Sequence, residues 1–440
     1  MKLFCTDLQM KLLANDRVFC NSPWYELHIY WDGALSFCCH ATPNVPYPVS
    51  EKNKYNIRNM SIKDWYSSEP MRLARERMFD DVRWKFCSRC HYEEEVGTTS
   101  RRHRSNQKSV IFRQNFKESF EQSPGYKKFT DPEFSGLPVD LHIDLGNYCN
   151  LACKMCNPEA SSRIAAQHKL WKITNSTNVD WTTDQATWER VLAELITIPR
   201  LQNIHFMGGE TLIQPRFEEF IDYLIKYRRT DVCISFVSNG TIYKDSIVQK
   251  LKLFPRAGIE VSIESTGPTN AYTRQGTNTN EVLANINRYI ADGCDITLRP
   301  APSLLTIREY WQVIKLALDH KLIIKSNICT DPEFLNINVL PLGIRQSYIS
   351  DYQKLLDTYN FDNTSESDYN ESDHSNYIKV AKNQIMQSIS MLTQPTHSNQ
   401  SILLPQLIQH ISKWDKVYRY NAFDVYPELA ELLSSNGYTI

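Results

Sequence analysis

The sequence predicts an α/β protein, with mostly parallel strands separated by helices, a β-hairpin at the N-terminal end and further helices at the C-terminal end. Three observations carry this. Short apolar runs alternate with amphipathic helical stretches from residue 139 to residue 328. Ahead of them, Asp32-Gly33 joins two short strand-like segments in the pattern of a hairpin. Two groups of cysteines are spaced as metal ligands rather than as disulfide partners.

The 440 residues suffice for two or three domains with cores of their own. An apolar content of 42% fits a globular chain, and a net charge of −1 gives no bulk attraction to nucleic acid or to an anionic membrane. Met1-Lys-Leu-Phe-Cys-Thr-Asp7 lacks a continuous apolar stretch, so no signal peptide is expected. No run approaches the roughly 18 apolar residues of a membrane helix. Twelve cysteines in such a chain fit a reducing cytoplasm with metal centres better than a disulfide scaffold.

From the N-terminal side, Glu26 to Tyr30 alternates like a half-buried strand, and Ala34 to Cys38 is its return strand. The hairpin brings Cys20 and Cys38, at its two ends, close together. Met71 to Arg83 is helical, and Cys87-Ser-Arg-Cys90 follows as a chelating pair. Four cysteines make a reasonable zinc site as well as an iron–sulfur site. A thioredoxin-like dithiol at Cys87/Cys90 would want a βαβ context, which its flanks do not suggest.

The first strand of the parallel series is Val139 to Leu145. Helices are expected over Pro158 to Trp171 and Gln185 to Ile198, with a polar loop from Thr174 to Thr183 between them. Strands at Asn203 to Met207, Cys233 to Val237, Ile259 to Ile263, Asp295 to Arg299 and Leu322 to Ile328 then alternate with helices at Arg216 to Tyr227, Thr241 to Leu253, Asn280 to Ala291 and Ile307 to His320. Apolar-rich strands with helices between them imply a parallel sheet of six strands. The right-handed crossover rule places the loops after the strands on one rim. Residues 361–377 are polar and acidic, a flexible segment. Ile378 to Leu392 and Gln400 to Trp414 are helical.

The run Cys149-Asn-Leu-Ala-Cys153-Lys-Met-Cys156 directly follows the first of these strands. Three thiolates on one tight loop can hold three corners of an iron–sulfur cube. No fourth cysteine follows nearby, so one iron is left without a protein ligand, unlike an electron-transfer cluster with four. Zinc would want four ligands, and His142 is the nearest candidate for the fourth. Three closely spaced cysteines cannot pair completely as disulfides.

This run resembles the signature of the radical S-adenosylmethionine (SAM) superfamily, and the resemblance covers about residues 138–340. It implies a partial (β/α)6 TIM-like barrel. It also implies that the open iron chelates the amino and carboxylate groups of SAM, and that one electron cleaves SAM to methionine and a 5′-deoxyadenosyl radical that takes hydrogen from substrate. The upstream pattern C-x12-G-x4-C followed by C-x2-C is similar to the twitch domain, a shortened relative of the SPASM domain. That likeness implies an auxiliary [4Fe–4S] cluster on Cys20, Cys38, Cys87 and Cys90. Here the module precedes the barrel, whereas in familiar relatives it follows. Cys39, next to Cys38, is an alternative ligand. Cys5, Cys233, Cys294 and Cys329 stand singly and are expected to be ordinary buried cysteines.

On the chemical rim, Met207-Gly208-Gly209-Glu210 resembles the family's Gly-Gly-Glu motif, whose carbonyls and carboxylate accept from the SAM ammonium; on its own it is a common turn. Ser238 and Asn239 are expected at the ribose or methionine part of SAM, although Asn-Gly also makes an ordinary turn. Glu264 resembles a ribose contact, with a solvated strand cap as the competing reading. Arg274 resembles an arginine that pairs with the SAM carboxylate, against a surface salt bridge. Tyr148 fits an adenine-packing aromatic, against a core residue. Arg101-Arg-His-Arg104 is the densest basic run; such runs are usually solvated faces, with a link to an acidic substrate or a negatively charged cluster as the competing reading.

The expected organisation is a twitch-like domain over residues 1–110, a linker over 111–137, the barrel over 138–340 and a C-terminal helical extension over 341–440. The expected protein is a cytoplasmic radical SAM enzyme with two [4Fe–4S] clusters, SAM, and a reductant such as flavodoxin or ferredoxin. The resemblance implies oxidative or peptide-modifying chemistry on a peptide or protein. A non-enzymatic iron–sulfur or zinc scaffold and a radical modification of nucleic acid or a small metabolite are the competing readings. The near-neutral charge argues against nucleic acid.

Overall fold

A computed structural model describes residues 18–41, 47, 49–78, 83–95, 100–106, 137–173, 180–361 and 376–438. Cys5, nearly all of the expected linker 111–137 and nearly all of the acidic segment 361–377 lie outside the described residues. The chain divides into two compact units. One comprises Met1–Tyr148, Thr174–Ser235 and Gln249–Arg256; the other comprises Cys149–Ile173, Phe236–Val248 and Ala257–Ile440.

In the first unit, β1 (Glu26–Ile29) and β2 (Leu35–Ser36) form the expected antiparallel hairpin, with Ile29 opposite Leu35. The Asp32 carboxylate accepts the Ala34 N–H at 3.1 Å, and Gly33 takes the left-handed backbone (φ +85°) that the turn requires. β1 also runs parallel to β3 (Asp140–Asp144), with Leu27 opposite Leu141 and His28 opposite His142. β3 in turn runs parallel to β5 (Asn203–Met207), with His142 opposite His205. The hairpin therefore adds a further parallel strand ahead of those expected from Val139 onward. That pairing joins segments far apart in sequence, so residue spacing did not reveal it.

The two faces of this sheet differ. Leu27, Ile29, Leu141, Ile143, Ile204 and Phe206 are fully buried on one face. There Phe206 meets Phe217 and Phe220 edge-on at 5.1 and 5.0 Å, both from the helix Phe217–Lys226. The helix Gln185–Ile196 buries Trp188, Val191, Leu192 and Leu195, and Asp184 caps it by accepting the Ala186 N–H. Each such side chain contributes about 1.5–3 kcal/mol when fully buried. The opposite face carries Glu26, His28, His142, Asp144 and His205. A parallel sheet covered on both sides ordinarily reads as continuous apolar runs, so this buried polar face calls for a function.

In the second unit, β7 (Ala257–Val261), β9 (Asp295–Leu298) and β10 (Ile323–Ile324) are parallel neighbours. The helices Thr279–Ala291 and Tyr310–His320 alternate with them. The strand expected to reach Ile328 ends at Ile324. The short strands β4 (Ala152–Cys153) and β8 (Arg274–Gln275) pair antiparallel, with Cys153 opposite Arg274. The strand β6 (Cys233–Ser238) is divided between the units after Ser235. The helix expected from Pro158 starts at Ser162, where the Ser161 hydroxyl accepts the Ile164 N–H at 3.3 Å. The C-terminal helices are Tyr377–Thr393 and Gln400–Tyr418, and the first packs on Tyr310–His320 and Ile349–Thr358. Among the described residues, no helix is long and apolar enough to cross a membrane.

Candidate metal centres

The three-cysteine loop lies in the second unit. The Cys149 N–H donates to the Ser162 hydroxyl at 3.1 Å, and the Leu151 N–H points at Cys149 Sγ at 3.5 Å. The Cys156 N–H closes a turn onto the Cys153 carbonyl at 3.0 Å, which brings the C-x2-C pair to one side. Burial pushes the Cys153 thiol up to about 11, against the pull of Arg274, and the Cys156 thiol up to about 12. Cys149 raises both, so the three sulfurs sense one another. Thiols that resist ionisation here are ones a metal deprotonates by replacing the proton. This donor set fits an iron–sulfur cluster held at three corners.

Lys154, within this loop, is buried under aromatic rings. Its Nζ lies 3.4 Å from the Tyr272 ring centroid, 5.5 Å from that of Trp414 and 5.6 Å from that of Tyr420. Burial draws the ammonium down to about 7, while Asp415 favours its charged form. Asp415 is itself satisfied by the Tyr272 and Tyr438 hydroxyls at 2.9 and 2.6 Å. The cage fastens the cysteine loop to the helix Gln400–Tyr418. Lys154→Met is expected to lower unfolding stability by about 2 kcal/mol and to loosen iron from this loop, measured by urea titration and iron analysis.

Arg274 and Glu264 face one another. Arg274 Nη2 and Nε donate to Glu264 Oε1 at 2.8 and 3.0 Å, and Glu264 Oε2 accepts the Ala301 N–H at 2.7 Å. Arg274 Nη1 lies 3.8 Å from Cys153 Sγ. The Arg274 ion pair is buried rather than superficial, and it aims a fixed positive charge at the Cys153 sulfur. Asn239 donates to Asn150 at 2.8 Å, and Asn150 donates to Thr241 at 2.9 Å, tying the loop after β6 to the cysteine loop. Ser238 is buried, and its hydroxyl accepts the Gly240 N–H at 3.1 Å.

In the first unit, Gly208 and Gly209 have left-handed backbones (φ +82° and +54°). A Cβ on Gly209 would lie 2.2 Å from the Tyr148 carbonyl oxygen, so only glycine fits there. The Glu210 N–H donates to that same carbonyl at 2.9 Å, and Glu210 Oε1 accepts the Leu212 N–H at 3.1 Å. Tyr148 is 55% exposed, which rules out a core role for its ring.

The second cysteine set is also in the first unit. Cys20 is packed with Phe19, Trp24 and Met78, and Trp84 and Cys87 lie against that group. Burial pushes Cys20, Cys87 and Cys90 each up to about 12, and each of the three senses another of the set. Cys38 is buried, and its sulfur accepts the His40 N–H at 3.3 Å. Cys38 and Cys39 act most strongly on each other, pushing Cys38 up and Cys39 down, and Arg101 and His142 add to the pull on Cys39. Cys20, Cys38 and Cys90 are thus buried and Cys87 half-buried, a set of desolvated thiols that fits a cluster. The sequence reading passed over His40, whose one signal was its place two residues after Cys38. Of the three single cysteines described, Cys329 is buried, while Cys233 and Cys294 are half-buried.

The basic run is not a solvated face. Arg101 pairs with Glu26 at 2.6 Å and reaches His142 Nε2 at 3.0 Å. Arg102 forks onto Glu94 at 2.9 and 2.8 Å. Distant carboxylates draw these arginines inward. Burial alone would raise the Glu26 carboxyl, yet Arg101 and His142 hold it below its ordinary value. On the same sheet face, His28 Nε2 lies 3.3 Å from Asp144 Oδ2. The His28 ring lies tilted at 4.0 Å from the Tyr30 ring, and the His142 and His205 rings stand 4.9 Å apart. Among the described residues, His28 Nδ1 and Asp144 Oδ1 are buried without a hydrogen-bond partner.

Residues 143–317 match the radical SAM superfamily, and residues 20–91 match the iron–sulfur cluster-binding SPASM domain. A curated relative, the GTP 3′,8-cyclase of Syntrophomonas wolfei subsp. wolfei, is 24% identical over 173 residues, 39% of this chain and 47% of the relative. The chain thus spans about half the length of the curated relative it matches. Among solved structures, native anSMEcpe with bound AdoMet aligns at 17% identity, covering 50% of this chain and 63% of that one, with a TM-score of 0.38. Streptococcus suis SuiB bound to the precursor peptide SuiA aligns at 13% identity, covering 62% and 60%, with a TM-score of 0.37. Domains of these two families hold [4Fe–4S] clusters, and the radical SAM domain also takes SAM. Residues 143–317 thus form a radical SAM domain, with a SPASM-type iron–sulfur domain, residues 20–91, ahead of it.

Proposed function

We propose that this chain is an oxidative radical SAM enzyme acting on a polar side chain of a peptide or protein. The observation that carries the radical reading is the three-cysteine loop, in which Cys153 is buried with Arg274 fixed beside it. Cys149, Cys153 and Cys156 would hold the catalytic cluster, and Cys20, Cys38, Cys87 and Cys90 the auxiliary one. Bound there, the reduced catalytic cluster and SAM supply a 5′-deoxyadenosyl radical for hydrogen abstraction. In this proposal Gly208, Gly209 and Glu210 receive the SAM ammonium, Ser238, Asn239 and Glu264 line its polar parts, Arg274 sets charge beside its carboxylate, and Tyr148 covers adenine. The auxiliary cysteines leave no iron free for substrate, which suits passing electrons onward. Residues 1–110, 138–340 and 341–440 are the proposed auxiliary domain, catalytic domain and helical extension. A small flavin or iron–sulfur protein of the cytoplasm is the proposed reductant.

The substrate class rests on the polar sheet face. Its one strong cation, Arg101, is already matched by Glu26, and Asp144 adds a further carboxylate. Such a face has no surplus positive charge for a triphosphate, while its open donor and acceptor atoms suit an uncharged polar group. Substrate preference is testable with anaerobically reconstituted, reduced protein and SAM. A pool of tryptic peptides is expected to raise 5′-deoxyadenosine release above the substrate-free rate, and GTP is not. Stimulation by GTP alone would overturn the peptide assignment and leave the radical chemistry standing.

A further inference from the structure

We propose that His40 donates hydrogen bonds to two thiolate ligands of the N-terminal iron–sulfur cluster and thereby raises its reduction potential. This rests on the cluster-binding assignment of that domain and is independent of the substrate. The His40 backbone N–H points at Cys38 Sγ at 3.3 Å, and its ring Nδ1 lies 3.8 Å from Cys90 Sγ. Both distances fall within the longer range of hydrogen bonds to sulfur. A cysteine bound to iron has lost its proton, so its sulfur only accepts. The ring nitrogen facing Cys90 must then carry the hydrogen, which fixes the Nδ1–H form of His40 and leaves Nε2 as an acceptor.

One residue thus ties together the end of the hairpin and the helix Ser88–Glu95, which supply two ligands from distant parts of the domain. Each N–H···S bond withdraws electron density from the ligand. It favours the reduced cluster, the more negative state, over the oxidised one. Cys38 and Cys90 are 7% and 6% exposed, so water does little to screen the effect.

The alternative is that His40 itself binds metal. Its Nδ1, Cys90 Sγ and a Glu93 carboxylate oxygen all lie within 4.8 Å of one another. The two roles separate by experiment on the full-length chain reconstituted with iron and sulfide, in a Cys153→Ala background that isolates the N-terminal cluster. Iron content and midpoint potential are read by chemical analysis and by redox titration followed by electron paramagnetic resonance. His40→Leu is expected to keep its iron and to shift the potential negative. His40→Gln, which retains a side-chain N–H, is expected to shift it less. An unchanged potential in His40→Leu, or a glutamine variant matching it, would overturn the donor role. Loss of iron in either variant would overturn it in favour of ligation. A Cys153→Ala parent that binds no iron would instead remove the cluster assignment beneath it.

Discussion

Cys153→Ala is expected to abolish release of 5′-deoxyadenosine from SAM and to lower bound iron by about four atoms per chain, while Cys294→Ser changes neither. The reasoning starts from ligand number. The loop offers three sulfurs, and with two a cube has no stable seat. Cys153 is also the most constrained of the three. It lies in β4 opposite Arg274, it is buried, and its sulfur faces the Arg274 guanidinium at 3.8 Å. Removing it leaves the buried Arg274 charge beside an apolar methyl. Cys294, half-buried after the helix Thr279–Ala291, belongs to neither ligand set. Nucleoside release is read by chromatography after dithionite reduction and iron by colorimetric assay. Nucleoside formed by Cys153→Ala at the parent rate would overturn the radical assignment.

The sequence made the cysteine loop legible because its ligand spacing is local, within eight residues of chain. The parallel strands and most helices were legible for the same reason, since apolar periodicity is a local signal. Gly209 was legible as a backbone requirement, although its immediate cause is the Tyr148 carbonyl against it. Non-local pairing was not legible. β1 gave no sign that it would join β3, and only that register sets His28, His142 and His205 in one row across the sheet. Each of those histidines, met singly, reads as ordinary. Arg101 and Arg102 likewise looked solvated until Glu26 and Glu94 were found beside them. Arg274 carried no local mark of its ion pair with Glu264.

Asp144→Asn and His28→Gln are expected to cut formation of oxidised product by about 100-fold while 5′-deoxyadenosine release persists. Oxidation of a polar carbon removes a proton as well as a hydrogen atom and an electron, so a base must stand ready. The pair His28–Asp144 has the required form. The carboxylate lies 3.3 Å from His28 Nε2, and the opposite ring nitrogen is buried with no partner. An orphaned buried polar atom costs about 1–3 kcal/mol, and a purely structural sheet would have replaced it with an apolar side chain, as the other face does. In this reading His28 accepts the proton and Asp144 is a positioning residue that holds the ring and balances the charge it gains. Asparagine keeps the shape of Asp144 and removes its charge, so the variant should fold with an unchanged melting temperature. The readout is the ratio of mass-shifted peptide to 5′-deoxyadenosine, which a structural role would leave constant. If the ratio stays at the parent value while thermal stability falls, the pair is part of the scaffold and the base lies elsewhere.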